Sequence, residues 1–401
     1  MMVQTLGSEL ELHVCSDKPT ADKIARFCGY IFRPPVEDWA RSLLSGAHPT
    51  THPEHFIYVC DARGEIVSSL CMILQTWRFE SVSLKVGQIE LVGTDAAWRR
   101  RGLIRAQMSV FDDLLREHGC ALSCVQGLAG VYQRLGYDYA IPLKGGVRLW
   151  VGQIAAAPIA LSGRYTLRPA EPHDVAKLVE LYEREMQPLM ISSVRDAALW
   201  HYQESQPAAS EHAYETYVIE RGDRVVTGYF RLPHHCKSPT VIVRELSVDS
   251  YDAFLMVLDF AKRRARQAGF DTVTLQLPET SRARHAARYL GAQELDPFAW
   301  QVRVFDWPEL FRQISPVLEQ RLADSLLTGW TGTLPIRLIE SGMLRLTINN
   351  GKTQTVEFES ASVGDWFVEA PAGLLCQLVM GYRSSEELQS WHPDFQVRAA
   401  A

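Results

Sequence analysis

Between Gln88 and Gln126 the chain passes from an apolar, β-rich segment through a polar turn into an amphipathic helix, and then straight back into another β-rich segment. This stretch constrains the fold most. Gln88 to Thr94 reads as a strand, and Leu103, Ile104, Met108, Phe111, Leu114 and Leu115 recur at helical spacing over about Gly102 to His118. Gly119 is placed to end the helix, and Ala121 to Gln126 is the returning strand. Strand, helix and strand with links this short imply a right-handed crossover between parallel neighbours. Upstream, Phe56–Cys60 and Ile66–Leu74 flank the turn Asp61-Ala62-Arg63-Gly64, and Ile24, Phe27, Cys28 and Ile31 share one helical face. The expectation is an α/β (α+β) chain built on mixed sheets.

Four hundred and one residues exceed what one compact core holds, so two or three domains are expected. Periodicity lapses in the Ala/Pro-rich stretch 155–162, and a second region starts at Leu167-Arg168-Pro169. It reads as a worn copy of the first. Glu245-Leu246 matches Glu90-Leu91, Arg266-Gln267-Ala268-Gly269 matches Arg116-Glu117-His118-Gly119, and Leu290-Gly291 matches Leu135-Gly136. Glu90 to Gly119 spans 29 positions and Glu245 to Gly269 spans 24, and the missing five correspond to Arg99-Arg100-Arg101-Gly102 and its surroundings. A third region from about Phe305 has an amphipathic helix (Leu310 to Leu322), two alternating strands joined at Asn349-Asn350-Gly351, and a helix over about Leu374 to Met380. The expected units are 1–155, 156–300 and 301–401.

An apolar share of 47%, a charged share of 22% and a net charge of −6 describe a folded protein without a global electrostatic grip on nucleic acid or an anionic membrane. No run reaches the roughly 18 apolar residues of a spanning helix. Met1 to Thr5 show no basic segment leading into an apolar one, and the eight cysteines include no CxxC pair. A cytoplasmic protein with reduced thiols is expected.

Chemistry concentrates at Trp98-Arg99-Arg100-Arg101-Gly102-Leu103-Ile104. Cations at the start of a helix oppose the partial positive charge there by about 0.3–1 kcal/mol each. An anion reverses that sign. Free backbone N–H groups, a glycine and guanidiniums together form a pyrophosphate cradle. After the next strand comes Val131-Tyr132-Gln133-Arg134-Leu135-Gly136-Tyr137. Tyr137 reads as core, while Tyr132 is placed to face a gap between the parallel strands.

The arginine segment resembles the coenzyme A loop of the GCN5-related N-acetyltransferases, Gln/Arg-x-x-Gly-x-Gly/Ala, with Ile104 where Gly or Ala is usual. Together with the Val-Tyr-x-Arg-x-Gly-Tyr segment and the domain order, the whole chain resembles the Eis-type (enhanced intracellular survival) acetyltransferases. That resemblance implies an active GNAT domain, a degenerate GNAT-like domain and a sterol-carrier-protein-like C-terminal domain. It also implies acetyl-CoA as co-substrate, no metal, and a homohexamer. The acceptor would be an amine of an aminoglycoside, a polyamine or a lysine side chain. Arg99, Arg100, Arg101, Gly102, Leu103 and Ile104 would hold the pyrophosphate, and the N–H groups of Val92, Gly93 and Thr94 the acetyl oxygen. Tyr132 would be the general acid. The general base would be the C-terminal carboxylate, here Ala401, although the family tends to end at an aromatic residue and six residues follow Phe395 here. Glu90 is the alternative base, on the strand where simpler relatives carry a glutamate.

Other features read as structure. His48, His52 and His55 are interrupted by Pro49 and Pro53, which suggests exposed loop histidines rather than a metal site. His234-His235-Cys236 is a loop cluster, and Gly351-Lys352-Thr353 is a hairpin turn. Cys120 and Cys124 read as small buried groups, and Phe27, Trp39 and Trp77 as possible walls of an acceptor site. The alternative function is a lipid- or sterol-binding protein with an inert acyltransferase relic.

Overall fold

The computed structural model describes residues 2–7, 9–143, 145–236, 238–360 and 364–398. The first half comprises β1 (Met2–Leu6), β2 (Leu10–Val14), helices α1 (Lys18–Ile31) and α2 (Pro34–Leu44), then β3 (Phe56–Asp61), β4 (Ile66–Phe79) and β5 (Val82–Thr94). Helix α3 (Leu103–Glu117) crosses to β6 (Leu122–Val125), and α4 (Ala129–Tyr132) leads to β7 (Asp138–Leu143) and β8 (Gly146–Trp150). β1 to β5 form an antiparallel meander and β6 lies parallel to β5, as the crossover pattern requires. β4 and β5 run longer than the apolar segments suggested. Gln75–Phe79 and Val82–Gly87 zip into one long hairpin whose Ser83 and Lys85 alternate outward.

The second half contains α5 (Ile159–Ser162), β9 (Tyr165–Pro169), α6 (Val175–Met186), β10 (Ile191–Ser193), α7 (Ala197–Glu204), β11 (Tyr214–Arg221) and β12 (Val226–Pro233). It continues with β13 (Val241–Val243), β14 (Glu245–Ser247), α8 (Tyr251–Ala268), β15 (Thr272–Leu275), α9 (Arg282–Tyr289), β16 (Gln293–Leu295) and β17 (Phe298–Val304). β13 lies parallel to β15 as β5 does to β6, and β14 pairs with β12 as the end of β5 does with β4.

The two halves exchange strands. β17 inserts between β6 and β7 of the first sheet, while β8 inserts between β15 and β16 of the second. A boundary at 300 therefore falls inside β17, and β8, which precedes residue 155, belongs to the second sheet. Each half is completed by chain from the other. The division at 155 and 300 is a proposal about units of sequence, not about closed sheets.

The C-terminal part packs α10 (Trp307–Ala323), α11 (Ala372–Val379) and α12 (Ser385–Trp391) with a five-stranded sheet of β18 (Gly332–Leu338), β19 (Gly342–Asn349), β20 (Lys352–Glu359), β21 (Val368–Ala370) and β22 (Gln396–Val397). β19 and β20 turn at Asn350, whose φ is +48°, and Gly351, at +74°, which is the expected hairpin. Its core is continuous with the first sheet: Phe311, Ile314, Leu344 and Leu375 join one buried cluster with Trp77, Leu84, Val86, Leu122 and Cys124.

On the opposite face, α3 buries Leu103, Met108, Phe111 and Leu115. Each such side chain contributes about 1.5–3 kcal/mol. Gln107 pins the helix to the sheet, donating from Nε2 to the Ile57 carbonyl (2.9 Å) and accepting from Ser68 Oγ (2.7 Å). The helix that carries the arginines at its start is thereby rigidly aimed.

Candidate active site

β5 and β6 pair only from Val86↔Leu122 to Gln88↔Cys124. Beyond Gln88 the strands splay, and Ile89–Thr94 have no ladder partner on that side among the described residues. A bulge accompanies the opening. The β4–β5 register steps from Ser69↔Gly93 to Cys71↔Glu90, so Leu91 and Val92 face Leu70 alone, and Leu91 has φ +53°. The Val92-Gly93-Thr94 segment thus borders the cleft where β5 and β6 diverge, paired with β4 on one side and with no strand on the other among the described residues. Gly93 lies against α1, where an added Cβ would stand 2.8 Å from Ile31 Cγ2.

Glu90 sits at the point of divergence, partly buried, and forms no ion pair among the described residues. Burial pushes its carboxyl up to about 7, against hydrogen bonds from Gln88 and the Leu91 backbone that favour the ionised form. Gln88 Nε2 donates to Glu90 Oε1 at 2.6 Å. A carboxyl so placed changes protonation near neutrality, as a general base requires.

Tyr132 closes the other side of the cleft. It ends α4, is 9% exposed, and stacks edge-on against Tyr137 with centroids 6.0 Å apart. Its hydroxyl has no hydrogen-bond partner among the described residues. Burial raises its pKa well above the usual phenol range, and the charges of Glu90 and Tyr137 add to the effect. The phenol therefore stays protonated and can donate. Two features hold the ring. Gly127 leaves room for it, since a Cβ there would stand 2.0 Å from Tyr132 Cε2, and the Gly127 carbonyl accepts from Gln301 Nε2 of β17 at 3.1 Å. Neither Gly127 nor Gln301 carries a signal in the sequence; both act through the exchanged strand and the loop it braces. Tyr137 is core as expected, with its hydroxyl 2.8 Å from Ser123 Oγ.

The arginine loop lies beyond Thr94. Arg99 Nε donates to the Thr94 carbonyl at 3.2 Å, and Arg101 covers the Trp98 ring at 4.5 Å. Arg100 and Gly102 adopt φ of +65° and +78°, which turns the chain tightly into α3. Gly102 offers α3 no side-chain cap and no acid lies in its first turn. Arg99, Arg100 and Arg101 are exposed and form no ion pair among the described residues. The helix start, its N–H groups and three guanidiniums thus suit an anion. Ile104 packs against the core under the turn, which accounts for an aliphatic residue in place of Gly or Ala.

The matching site of the second half is filled from within. Ser250 caps α8 by accepting from Ala253 N–H at 3.1 Å, and Asp252 occupies the first turn. Glu245, the counterpart of Glu90, is held by Arg195 at 2.9 and 3.0 Å and by Arg231 at 3.1 Å.

Between the halves lies a cavity of about 280 Å³. Trp39, Gln75 and Gln88 line it from the first half and Arg195, Tyr202 and Glu245 from the second. Of the aromatics singled out in the sequence, Trp39 lines this cavity, while Trp77 belongs to the core shared with the C-terminal part.

Ala401 lies outside the described residues. The chain is described to Arg398, whose N–H donates to the Phe367 carbonyl at 2.9 Å and whose guanidinium lies 3.7 Å from the centroid of Trp366.

The expectation of exposed loop histidines fails for His48 and His55, which are 6% and 2% exposed. Their prolines direct the chain inward rather than leaving it in solvent. His48 packs edge-on against Tyr202, and His55 Nε2 lies 3.1 Å from His118 Nε2. Burial, aided by neighbouring histidines, lowers both to about 4, so they are neutral packing groups near pH 7. Cys120 and Cys124 are buried as expected. Among the described residues, Glu11, His13 and Cys60 bring potential metal ligands together. His13 Nε2 is 3.0 Å from Glu11 Oε2, a hydrogen bond that accounts for that pair, and burial first, then Glu11, raises the Cys60 thiol, which disfavours the thiolate a metal would need.

Residues 19–140 match the family described as an acetyltransferase (GNAT) domain. No curated protein sequence matches the chain. Among solved structures it is similar to a GCN5-related N-acetyltransferase from Anabaena variabilis, 15% identical over 97% of this chain and 94% of that one, with a TM-score of 0.71. It is similar to a probable N-acyltransferase from Enterococcus faecalis, 13% identical over 97% and 94%, with a TM-score of 0.73. Eis1 from Mycobacterium abscessus is 15% identical over 97% and 94%, with a TM-score of 0.61. At these identities the likeness is one of fold, and it extends through both halves and the C-terminal part.

Proposed function

We propose that this chain, with its acetyltransferase domain over residues 19–140, is an acetyl-CoA-dependent N-acetyltransferase of the Eis type. The observation that carries the proposal is the splayed pair β5/β6, with Glu90 on one strand, Tyr132 after the other and an unpaired cationic helix start beyond them. Arg99 to Ile104 bind the pyrophosphate, which directs the thioester along the open edge of β5. N–H groups of Val92, Gly93 and Thr94 polarise the acetyl oxygen and hold the negative charge that develops there. Glu90 takes a proton from the acceptor amine, and the neutral amine attacks the thioester carbon. As the C–S bond breaks, Tyr132 gives its proton to the departing thiolate, and the proton that the nitrogen sheds in becoming the amide restores the phenol. Holding both reactants in line supplies a large part of the rate increase.

Ala401 is the alternative base by resemblance; the position and environment of Glu90 favour the glutamate. The acceptor is proposed as an aminoglycoside, polyamine or lysine-like amine, with the cavity between the halves that Gln88, Glu245 and Asp196 help to line as its seat. The sterol-carrier-like character of the C-terminal part and a homohexamer belong to the same proposal. A lipid-binding role beside an inert relic is not favoured, because the apolar face of that part is spent on the first sheet and the arginine loop and Tyr132 are intact.

The test is release of free coenzyme A thiol from acetyl-CoA with spermine and with an aminoglycoside, alongside calorimetric titration with acetyl-CoA. Acceptor-dependent thiol release is expected. Absence of acetyl-CoA binding overturns the proposal.

A further inference from the structure

We infer that Trp77, Gln75 and Gln88 form a one-way hydrogen-bond relay that orients Glu90, so that Trp77 is a positioning residue for the base from three side chains away. This rests on the reading of Glu90 as the base.

The four residues share one face of the β4–β5 hairpin. Gln75 and Trp77 are two apart on β4, Gln88 and Glu90 two apart on β5, and the register Ile73↔Gln88, Gln75↔Val86 sets the two glutamines diagonally across the pair. Trp77 Nε1 donates to Gln75 Oε1 at 2.8 Å, Gln75 Nε2 donates to Gln88 Oε1, and Gln88 Nε2 donates to Glu90 Oε1 at 2.6 Å. A glutamine amide taken alone can face either way. This chain has one consistent direction, because an indole N–H only donates and an ionised carboxylate only accepts. The indole compels the Gln75 oxygen toward itself, which turns the Gln75 amide N–H toward Gln88 and in turn the Gln88 N–H toward Glu90. Each side chain thereby fixes the next.

The far end of the relay is firmly held. Trp77 is 5% exposed and belongs to the cluster that unites the first sheet with the C-terminal part. Gln75 and Gln88 also line the cavity between the halves. The relay therefore ties the base to the packing of the C-terminal part along one wall of the proposed acceptor site.

The titratable neighbours that sense Glu90 are Cys71 of β4, Cys124 of β6 and Tyr132 of α4. Burial raises all three, so they are uncharged near neutrality. The Gln88 N–H is then the side-chain donor that favours ionised Glu90. Without the indole, the Gln75 amide loses its fixed direction and Gln88 is free to present oxygen to Glu90, which favours the protonated carboxyl.

Trp77→Phe keeps an aromatic ring and removes the donor; Gln75→Leu cuts the relay at its centre and leaves the core tryptophan in place. Two readouts are taken on the full chain. Side-chain NMR titration of Glu90 in the resting protein is expected to show an upward shift of about half a unit or more in both variants. In the pH profile of kcat/KM the rising limb is expected to move the same way, so that the rate falls about two-fold or more near pH 7 and recovers at higher pH. An unchanged Glu90 titration in folded Gln75→Leu overturns the relay, as does a loss of rate equal at every pH. Glu90→Gln separates the two readings: full activity in that variant overturns Glu90 as the base, whereas the NMR titration still judges the relay.

Discussion

Glu90 and Glu245 stand at matching points of the two halves, each at the end of a parallel pairing and each opposite the preceding strand, where Cys71 faces Glu90 and Arg231 faces Glu245. The neighbours set opposite electrostatics. Burial pushes Glu90 up to about 7. Burial also acts on Glu245, but the charges of Arg195 and Arg231, with hydrogen bonds from Arg195 and Tyr229, outweigh it and hold that carboxyl at about 2. Corresponding positions thus hold a carboxyl raised toward neutrality in one half and an ion-pair junction in the other.

For Glu90, activity should rise with pH through about 7, because the base acts when ionised. Glu90→Gln should lower kcat/KM by about 10²–10⁴-fold. Because its folded value is raised, the protein favours the protonated carboxyl and loses stability as pH rises from the ordinary value of 4.5 to about 7. Relative to Glu90→Gln the loss should reach about 3 kcal/mol. Urea unfolding of both proteins across that range checks it.

Glu245 should behave in the opposite sense. Its stabilisation is present above the ordinary value of 4.5 and is lost as pH falls toward about 2. Glu245→Gln leaves the half-buried Arg195 without its carboxylate and takes one of two from buried Arg231, and should cost about 3 kcal/mol at neutral pH. Thermal unfolding should show the gap from the parent chain narrowing below pH 4.5.

Tyr132→Phe should leave acetyl-CoA affinity unchanged and reduce kcat by about 10²–10⁴-fold, the usual worth of a positioned proton donor. Gly127→Ala should produce a similar loss by another route, since its Cβ would stand 2.0 Å from the Tyr132 ring and displace it. Calorimetry with acetyl-CoA and steady-state kinetics distinguish lost chemistry from lost binding.

The triple substitution Arg99→Ala, Arg100→Ala, Arg101→Ala should weaken acetyl-CoA binding by about 10-fold or more, and the weakened binding should depend less on salt. Its stability should change by only about 1 kcal/mol, because no ion pair is lost and the contacts removed, the Arg101–Trp98 stacking and the Arg99 hydrogen bond to the Thr94 carbonyl, are exposed. Isothermal titration at two salt concentrations and a melting curve test both halves of the statement.

A deletion of residues 399–401 tests the alternative base. It preserves β22 and the Arg398 contacts with Phe367 and Trp366, which a cut at Gln396 would remove. With Glu90 as base, the shortened chain should keep near-full kcat/KM; a loss comparable to Glu90→Gln would assign the role to the tail carboxylate.

Much of the fold was legible because its signals are local. The periodic apolar positions of α3, Gly119 after it and the short link to β6 require the crossover wherever it sits. Three arginines before a glycine are likewise found exposed at the helix start where the local pattern put them. His48 and His55 were misread because prolines report that a helix is interrupted, not whether the loop faces solvent. The ends of β4 and β5 were misplaced because ladder hydrogen bonds extend a hairpin beyond its apolar segment.

The amino-acid order by itself determined α1, α3, α10 and α11, the crossover, the cationic turn and the echo of Glu90-Leu91 in Glu245-Leu246, since each depends on neighbours a few positions away. Only the tertiary structure decided that β8 and β17 change sheets, that Gln301 braces the loop before Tyr132, and that one glutamate meets amides where its twin meets guanidiniums. The exchanged strands and the Gln301 brace join residues more than a hundred positions apart, and the guanidiniums at Glu245 come from 14 and 50 positions away. No periodicity in the chain records them.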